Sequence, residues 1–252
     1  MVASANASHI GTCLSMADIL AVLYADVLRY KAHRPDWPGR DRFILSKGHG
    51  AAILYAVLAR CGYFDVAELD RYCADGSALL GHASHMVPGI EVSTGSLGHG
   101  LPIGAGMALA AKRGGVKYRT FVLVGDGELD EGSNWEAMMF ASTHQLDQLT
   151  LIVDRNMQQG LGWSEDILRL EPLAPKFEAF GWTVRSVDGH DIAQLQEALC
   201  IPAHASGSPL VVLARTTKGK GVSFMEGRLA WHYRSPSPDE LASALAELGL
   251  HT

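Results

Sequence analysis

The chain has 252 residues, 48% of them hydrophobic and 19% charged, with a formal net charge of −6. That is ordinary globular composition, long enough for one large core or two small ones. No cluster of Lys and Arg marks a nucleic-acid surface, and the longest apolar run near the start, ADILAVLYADVL, carries Asp18 and Asp26 and is too short to span a bilayer.

In chain order, residues 16–30 (MADILAVLYADVLRY) repeat apolar side chains at helical spacing. Residues 42–46 (RFILS) read as a short strand running into SKGHG, followed by a helix, AAILYAVLARCG, that Gly62 closes. Asp65 is placed to cap a helix over VAELDRYC. A glycine-rich stretch, 76–106, feeds the helix AGMALAAKR; then come a strand (TFVLV), a GDG turn and a helix over about 131–144. The strand LTLIVD ends at Asp154, and RNMQQGLGWS after it reads as a loop. The last third alternates a helix near APKFEAFG, a strand WTVRSV, a helix IAQLQEALC and a strand PLVVLAR. A long aperiodic loop over 216–238 precedes a final helix, DELASALAELG, capped by Ser237 or Asp239.

Val-, Ile- and Leu-rich strands alternating with helices predict an α/β fold, a central, mostly parallel sheet with helices on both faces, in a single domain over 1–252. Ligands of such sheets bind at the carboxyl ends of the strands. The GDG turn, the RNMQQ loop and the TTKGKG loop should therefore gather at one edge. The four cysteines, Cys13, Cys61, Cys73 and Cys200, form no CxxC pair and read as reduced core or near-core thiols of a cytoplasmic protein. No basic n-region or cleavage site marks a signal peptide.

The chemistry concentrates in VLVGDGELDEGSNWEAMMFA. Asp126, Glu128, Asp130, Glu131 and Glu136 repel one another unless water or a cation intervenes. Asn156 follows Asp126 by 156 − 126 = 30 residues, each behind an apolar strand. If those strands are neighbours, a carboxylate and an amide oxygen meet, a hard pair suited to Mg²⁺ or Ca²⁺ completed by diphosphate oxygens. Gly125 and Gly127 allow a phosphate close to the backbone, and the following helix offers free N–H groups. GDG alone is a common turn; the asparagine at this spacing gives it meaning.

GDG followed some thirty residues later by Asn resembles the thiamine diphosphate motif, and the whole chain resembles the N-terminal, diphosphate-binding half of transketolase. The likeness runs from ASHIGTCLSMADILAVLY to WHYRSPSPDE and includes SKGHG, GIEVSTGSLGHGL and KGKGVSFME…WH. It implies the PP-type thiamine diphosphate-binding fold, with Asp126, Asn156 and the backbone carbonyl of Gln158 holding the cation. Gly125, Gly127, Glu128, Leu97, His49, His99 and His232 would surround the cofactor. His9, His49, His82 and His232 would line the reaction site, with His9 and His82 on the substrate's hydroxyl and carbonyl oxygens. Imidazoles suit that task, because near neutral pH they donate to a carbonyl or accept from a hydroxyl without a permanent charge. Glu131 and Glu136 would lie near a partner interface, Glu131 connecting cofactor sites across it; a helix-start carboxylate needs no cofactor to explain it. Lys218 and Lys220 either reach a phosphate or lie on a solvated loop.

The family's pyrimidine-binding and C-terminal domains have no counterpart in 1–252. The resemblance therefore implies half a site: a split transketolase whose partner chain carries the pyrimidine-domain Glu, two copies of each chain forming an α2β2 heterotetramer. The expected activity is transfer of a two-carbon ketol unit from a ketose donor to an aldose or specialised acceptor. The runners-up are an α-type subunit of a 2-oxo acid enzyme and a non-catalytic diphosphate-binding half. Ser8 and Ile10 stand where the family has Gly and Pro, and Tyr233 where it has Gly, which puts substrate choice in doubt more than cofactor binding. The start lies unusually close to ASHIG: either a preceding helix is missing or the true start is upstream.

Overall fold

The computed structural model describes residues 1–200 and 207–250. Its strands, in chain order, are Arg42–Leu45 (β1), Thr120–Gly125 (β2), Leu149–Arg155 (β3), the short pair Gln158–Gln159 (β4) and Gly162–Trp163 (β5), then Thr183–Asp188 (β6) and Leu210–Arg215 (β7). The α-helices are Ile10–Ser15 (α1), Ala17–Val22 (α2), Ala51–Arg60 (α3), Gly100–Gly114 (α4), Gly132–Thr143 (α5), Ser164–Ile167 (α6), Leu173–Ala179 (α7), Ile192–Cys200 (α8) and Pro238–Glu247 (α9). Strands β1, β2, β3, β7 and β6 lie side by side in that order, every pairing parallel, while β4 and β5 form a separate antiparallel hairpin.

Both faces of the sheet are apolar because successive side chains of a strand point to opposite faces. Phe121, Leu123 and Ile152 join Phe43, Leu45 and Val212 under side chains of α2, α3 and α8. Val122, Val124, Leu151 and Val153 join Ile44 and Val211 under α4, α5 and α7. A run such as TFVLV is stable in this form only with both faces covered, each buried aliphatic side chain contributing about 1.5–3 kcal/mol. Strand β6 is only partly buried and takes the edge.

Several expectations need correction. The periodic segment 16–30 is not one helix: α1 begins earlier, at Ile10, and after α2 the residues Leu23–Val27 form a π turn before the chain extends at Leu28. The wider turn brings Leu23, Tyr24 and Val27 all into the core, so the apolar periodicity outlasts the α geometry. Asp65 caps as expected, accepting from Ala67 N at 2.9 Å, but Val66–Arg71 is 3-10 helix with no fully buried residue, only Leu69 packing partly against the core. The loop after Asn156 holds the β4–β5 hairpin, too short for any periodicity to announce it. Cys13 is buried and Cys61 half-buried, but Cys73 and Cys200 are exposed rather than near-core. The last helix is capped by Ser237, not Asp239: Ser237 Oγ accepts from Glu240 N (3.2 Å) and the Glu240 carboxylate accepts from Ser237 N (2.9 Å), a capping box.

The chain places β6 at the edge and then returns β7 to pair with β3, so the strand order reverses between β3 and β7. The loops leaving β1, β2, β3 and β7 open at this reversal, where α/β sheets form their ligand crevices.

Candidate cofactor site

Strand β1 exits into Ser46–Gly50. A Cβ on Gly48 would lie 2.5 Å from the carbonyl of Thr94, so only glycine lets the 94–98 segment pass this close. Strand β2 exits into Gly125–Gly127, and β3 into Asn156–Gln158. Gly125 and Asp154 are register partners in the sheet, which brings the two exits together. Asp126 Oδ2 accepts from Met157 N at 2.6 Å and from the Arg155 guanidinium at 2.9 Å; its Oδ1 accepts from Gly127 N at 2.9 Å. Asn156 Oδ1 accepts from Gln158 N at 3.1 Å, folding the loop back on itself. The carboxylate and the amide expected to share a cation thus sit on adjoining loops at one end of the sheet.

Beneath them lies a network that sequence reading missed. Asp154 is fully buried and accepts from Ser15 Oγ (2.6 Å), Asn156 Nδ2 (3.2 Å), Thr216 Oγ1 and the buried ammonium of Lys47; Lys47 also donates to Thr12 Oγ1 at 2.7 Å. Burial pushes the Asp154 carboxyl up, but Lys47, Ser15 and Thr216 together hold it below the usual carboxylate range. Glu128, also buried, accepts from Ser46 Oγ, Gly98 N (2.9 Å) and Gly125 N (3.3 Å), tying three of the converging segments together. The only signal for Lys47 was its place in SKGHG, straight after an apolar strand, and nothing local marked it for burial. Asp154 gave none beyond its place at a strand end.

Above the loops is a cavity of about 290 Å³, lined by residues that include His9, His49, His82, His232, Asp126 and Asn156. The ring of His9 lies 5.0 Å from that of His49, 5.9 Å from His82 and 5.2 Å from His232, centroid to centroid. His9 is carried at the entrance of α1 with a left-handed backbone (φ 75°), and its N–H is held by His232 O at 3.1 Å. Burial first, then the charges of neighbouring groups, lowers His9 to about 4 and His232 to about 3, and drives His49 well below its ordinary value. These three rings are therefore neutral at pH 7. Lys218 is buried, not solvated, and its Nζ sits 2.7 Å from His232 Nδ1. An ammonium only donates, so Nδ1 accepts and the ring proton is on Nε2. Burial and the charge of Lys47 bring Lys218 down to about 8.

Gly125, Gly127, Glu128, Gln158 and Leu97 also line this cavity. His99 does not: it is exposed at the start of α4. Glu131 and Glu136 are exposed at and within the first turns of α5, and Lys220 is exposed on its loop. Tyr233 adds its phenol to the lining, its ring 4.6 Å from that of His232. The donor set suits a hard cation. Asp126, Asn156 and Gln158 present only oxygen, and Gln158 Oε1 is buried without a hydrogen-bond partner among the described residues. Among those residues no cluster of three His, Cys, Asp or Glu could hold a metal. One carboxylate and an amide leave most of a cation's shell to phosphate oxygens and water, the usual arrangement for Mg²⁺.

A sheet whose reversal point carries these loops belongs to the open α/β domains that bind their ligands across the strand ends. The family profile described as "Transketolase, thiamine diphosphate binding domain" matches residues 1–252. The chain is 46% identical to an apulose-4-phosphate transketolase subunit of Actinobacillus succinogenes over 241 residues, covering 95% of this chain and 87% of that protein. It is 43% identical to the 6-deoxy-6-sulfo-D-fructose transketolase subunit SqwG of Clostridium sp. strain MSTE9, covering 95% and 88%. The crystal structure of Campylobacter jejuni transketolase superposes with a TM-score of 0.93 at 32% identity, over 99% of this chain but 40% of that one. The chain thus spans about two fifths of the solved transketolase it matches. It belongs to the transketolase family and has that family's thiamine diphosphate-binding domain.

Proposed function

We propose that this chain is the diphosphate-binding subunit of a two-chain transketolase. With a partner polypeptide it moves a two-carbon ketol unit from a ketose or ketose phosphate to an aldose or a specialised acceptor, using thiamine diphosphate and Mg²⁺ or Ca²⁺. The observation that carries this reading is the convergence of four imidazoles, His9, His49, His82 and His232, on one cavity with the Asp126 and Asn156 loops.

Asp126, Asn156 and the carbonyl of Gln158 hold the cation, and the cavity floor from Gly125 to Glu128 receives the diphosphate. When bound, the cofactor supplies the carbon nucleophile and the electron sink for ketol transfer. The chain's own groups bind and orient the sugar. His9 and His82 meet its hydroxyl and carbonyl oxygens, neutral His9 able to donate or accept at need. His49 and His232 face the cofactor, and Lys218 fixes the tautomer of His232 so that Nε2–H is the group offered to a phosphate or hydroxyl oxygen. Glu131 and Glu136, exposed on this chain, meet the partner. That partner supplies the pyrimidine domain and its Glu, in an assembly of two copies of each chain. The relatives that match nearly end to end are themselves named as subunits, which supports this arrangement. No helix among the described residues is long and apolar enough to cross a membrane. The free state of the four cysteines supports a cytoplasmic site of action.

The test is co-purification with a second polypeptide followed by a donor and acceptor screen. The assembled pair transfers ketol units and the isolated chain does not; substantial turnover by this chain alone overturns the two-chain reading. Asp126→Ala abolishes cation-dependent thiamine diphosphate binding in calorimetry of the assembled protein, and unchanged affinity removes Asp126 from the cation site.

A further inference from the structure

Arg155 ends β3, one residue before Asn156, and its side chain is only 6% exposed. It stands among three carboxylates. One terminal nitrogen donates to Asp126 Oδ2 at 2.9 Å; the other donates to Glu171 Oε1 at 2.8 Å and Glu165 Oε1 at 3.2 Å; Nε donates to Glu171 Oε1 at 3.2 Å. Asp126 faces the cofactor cavity. Glu165 and Glu171 lie on the hairpin side, where Glu171 and Arg155 border a second cavity, of about 520 Å³, beside β6 and β7. Arg155 thus borders the second cavity together with Glu171 and reaches to Asp126, a carboxylate that lines the first.

We propose that Arg155 is a positioning residue for the cation-binding carboxylate of Asp126, and that Glu165 and Glu171 keep its charge from opposing the cation. The proposal rests on the reading of Asp126 as a cation ligand. A guanidinium is planar, permanently charged and directional. Together with Met157 N, whose own residue is held in a left-handed backbone (φ 66°), it claims Oδ2 with two donors. Oδ1 receives a single donor, Gly127 N, and keeps lone-pair capacity for a cation. The carboxylate therefore cannot rotate without giving up a charged hydrogen bond inside the protein. A lone arginine beside a divalent cation would repel it. Here two further carboxylates share the guanidinium, so the group holds Asp126 without adding net positive charge to the site. Groups that orient a metal ligand in this way typically contribute 10- to 100-fold in metal affinity.

The experiment is calorimetry of thiamine diphosphate binding to the full chain assembled with its co-purifying partner, at stepped Mg²⁺ concentrations. The variants are R155M, R155K, E171Q and D126A. R155M should raise the Mg²⁺ concentration needed for half-maximal binding by about 10- to 100-fold. R155K, which restores one charged donor but not the fork, should recover part of that loss. E171Q should weaken Mg²⁺ binding by a smaller factor, and added salt should relieve it, because its effect is electrostatic. If R155M lowers only the melting temperature and leaves the Mg²⁺ requirement unchanged, Arg155 is merely structural and the proposal falls. Should R155M fail to fold, E171Q decides: an unchanged Mg²⁺ requirement overturns the charge-sharing arrangement. D126A separates the two ideas. If it keeps its Mg²⁺ dependence, the cation site itself is misplaced; if it loses it while R155M and E171Q stay like the parent, only the role of Arg155 is refuted.

Discussion

Asp154→Asn probes how the strand ends are held beneath the candidate cofactor site. Asp154 and the Lys47 side chain are 0% and 2% exposed, and Lys47 forms no other ion pair among the described residues. The amide keeps the shape of the carboxylate but removes its charge, leaving a buried ammonium uncompensated. It also aims an Nδ2 donor at one of the donors Ser15, Thr216 or Asn156. Breaking a buried pair by removing one partner costs about 3–5 kcal/mol. In a chain of this size each kcal/mol moves Tm by about 2–4 °C, so the variant should melt about 6–20 °C lower. Lys47→Met should cost less, since Asp154 would still accept from Ser15, Thr216 and Asn156. Urea unfolding of the cofactor-free chain, run as a double-mutant cycle with K47M, D154N and the pair, isolates the interaction. A coupling energy of about 1 kcal/mol or more is expected for groups in direct contact. A loss below about 1 kcal/mol for D154N, or additivity within about 0.5 kcal/mol, would refute the claim that this pair anchors β1 to β3.

Gly48→Ala should lower both Tm and cofactor affinity, because the added methyl meets backbone of Thr94 at 2.5 Å; retention of parent affinity in calorimetry would show that the 94–98 segment yields freely. Ser237→Ala removes half of the capping box on α9 and should cost about 1 kcal/mol with cofactor affinity unchanged, as read by thermal melting and calorimetry. His82→Ala should reduce kcat with ketose donors more than it weakens cofactor binding; equal losses would place His82 on the cofactor. The lowered imidazoles also make stability fall in acid. The unfolded chain binds protons on these rings from about pH 6.5 downward, whereas folded His9 takes one only near 4 and folded His232 near 3. The stabilisation is thus fully present above pH 6.5 and is lost as pH falls toward 4 for His9 and toward 3 for His232. His232→Gln, which cannot take the proton, should flatten the slope of unfolding free energy against pH between 6 and 4.5; an unaltered slope would mean that the ring stays solvated.

The two halves of this site differed in how far the sequence revealed them. Asp126 and Asn156 could be paired because each follows an apolar run, and parallel strands built from such runs must deliver their ends to one edge. The same logic does not reach Lys47 and Asp154, whose meaning lies in a contact 107 residues apart in the chain. Nothing local distinguishes a lysine that will be buried from one that will not. Its counter-charge becomes visible only once β1 and β3 are known to be separated by β2 alone. Arg155 shows the same limit in sharper form. Beside Asn156 it reads as an ordinary loop cation. The hairpin that leads to Glu165 and the segment that carries Glu171 had first to fold back beneath β3 before three acids could share its charge. The meeting of two loops can be read from strand ends; the ion pairs that hold those loops still depend on which strands become neighbours.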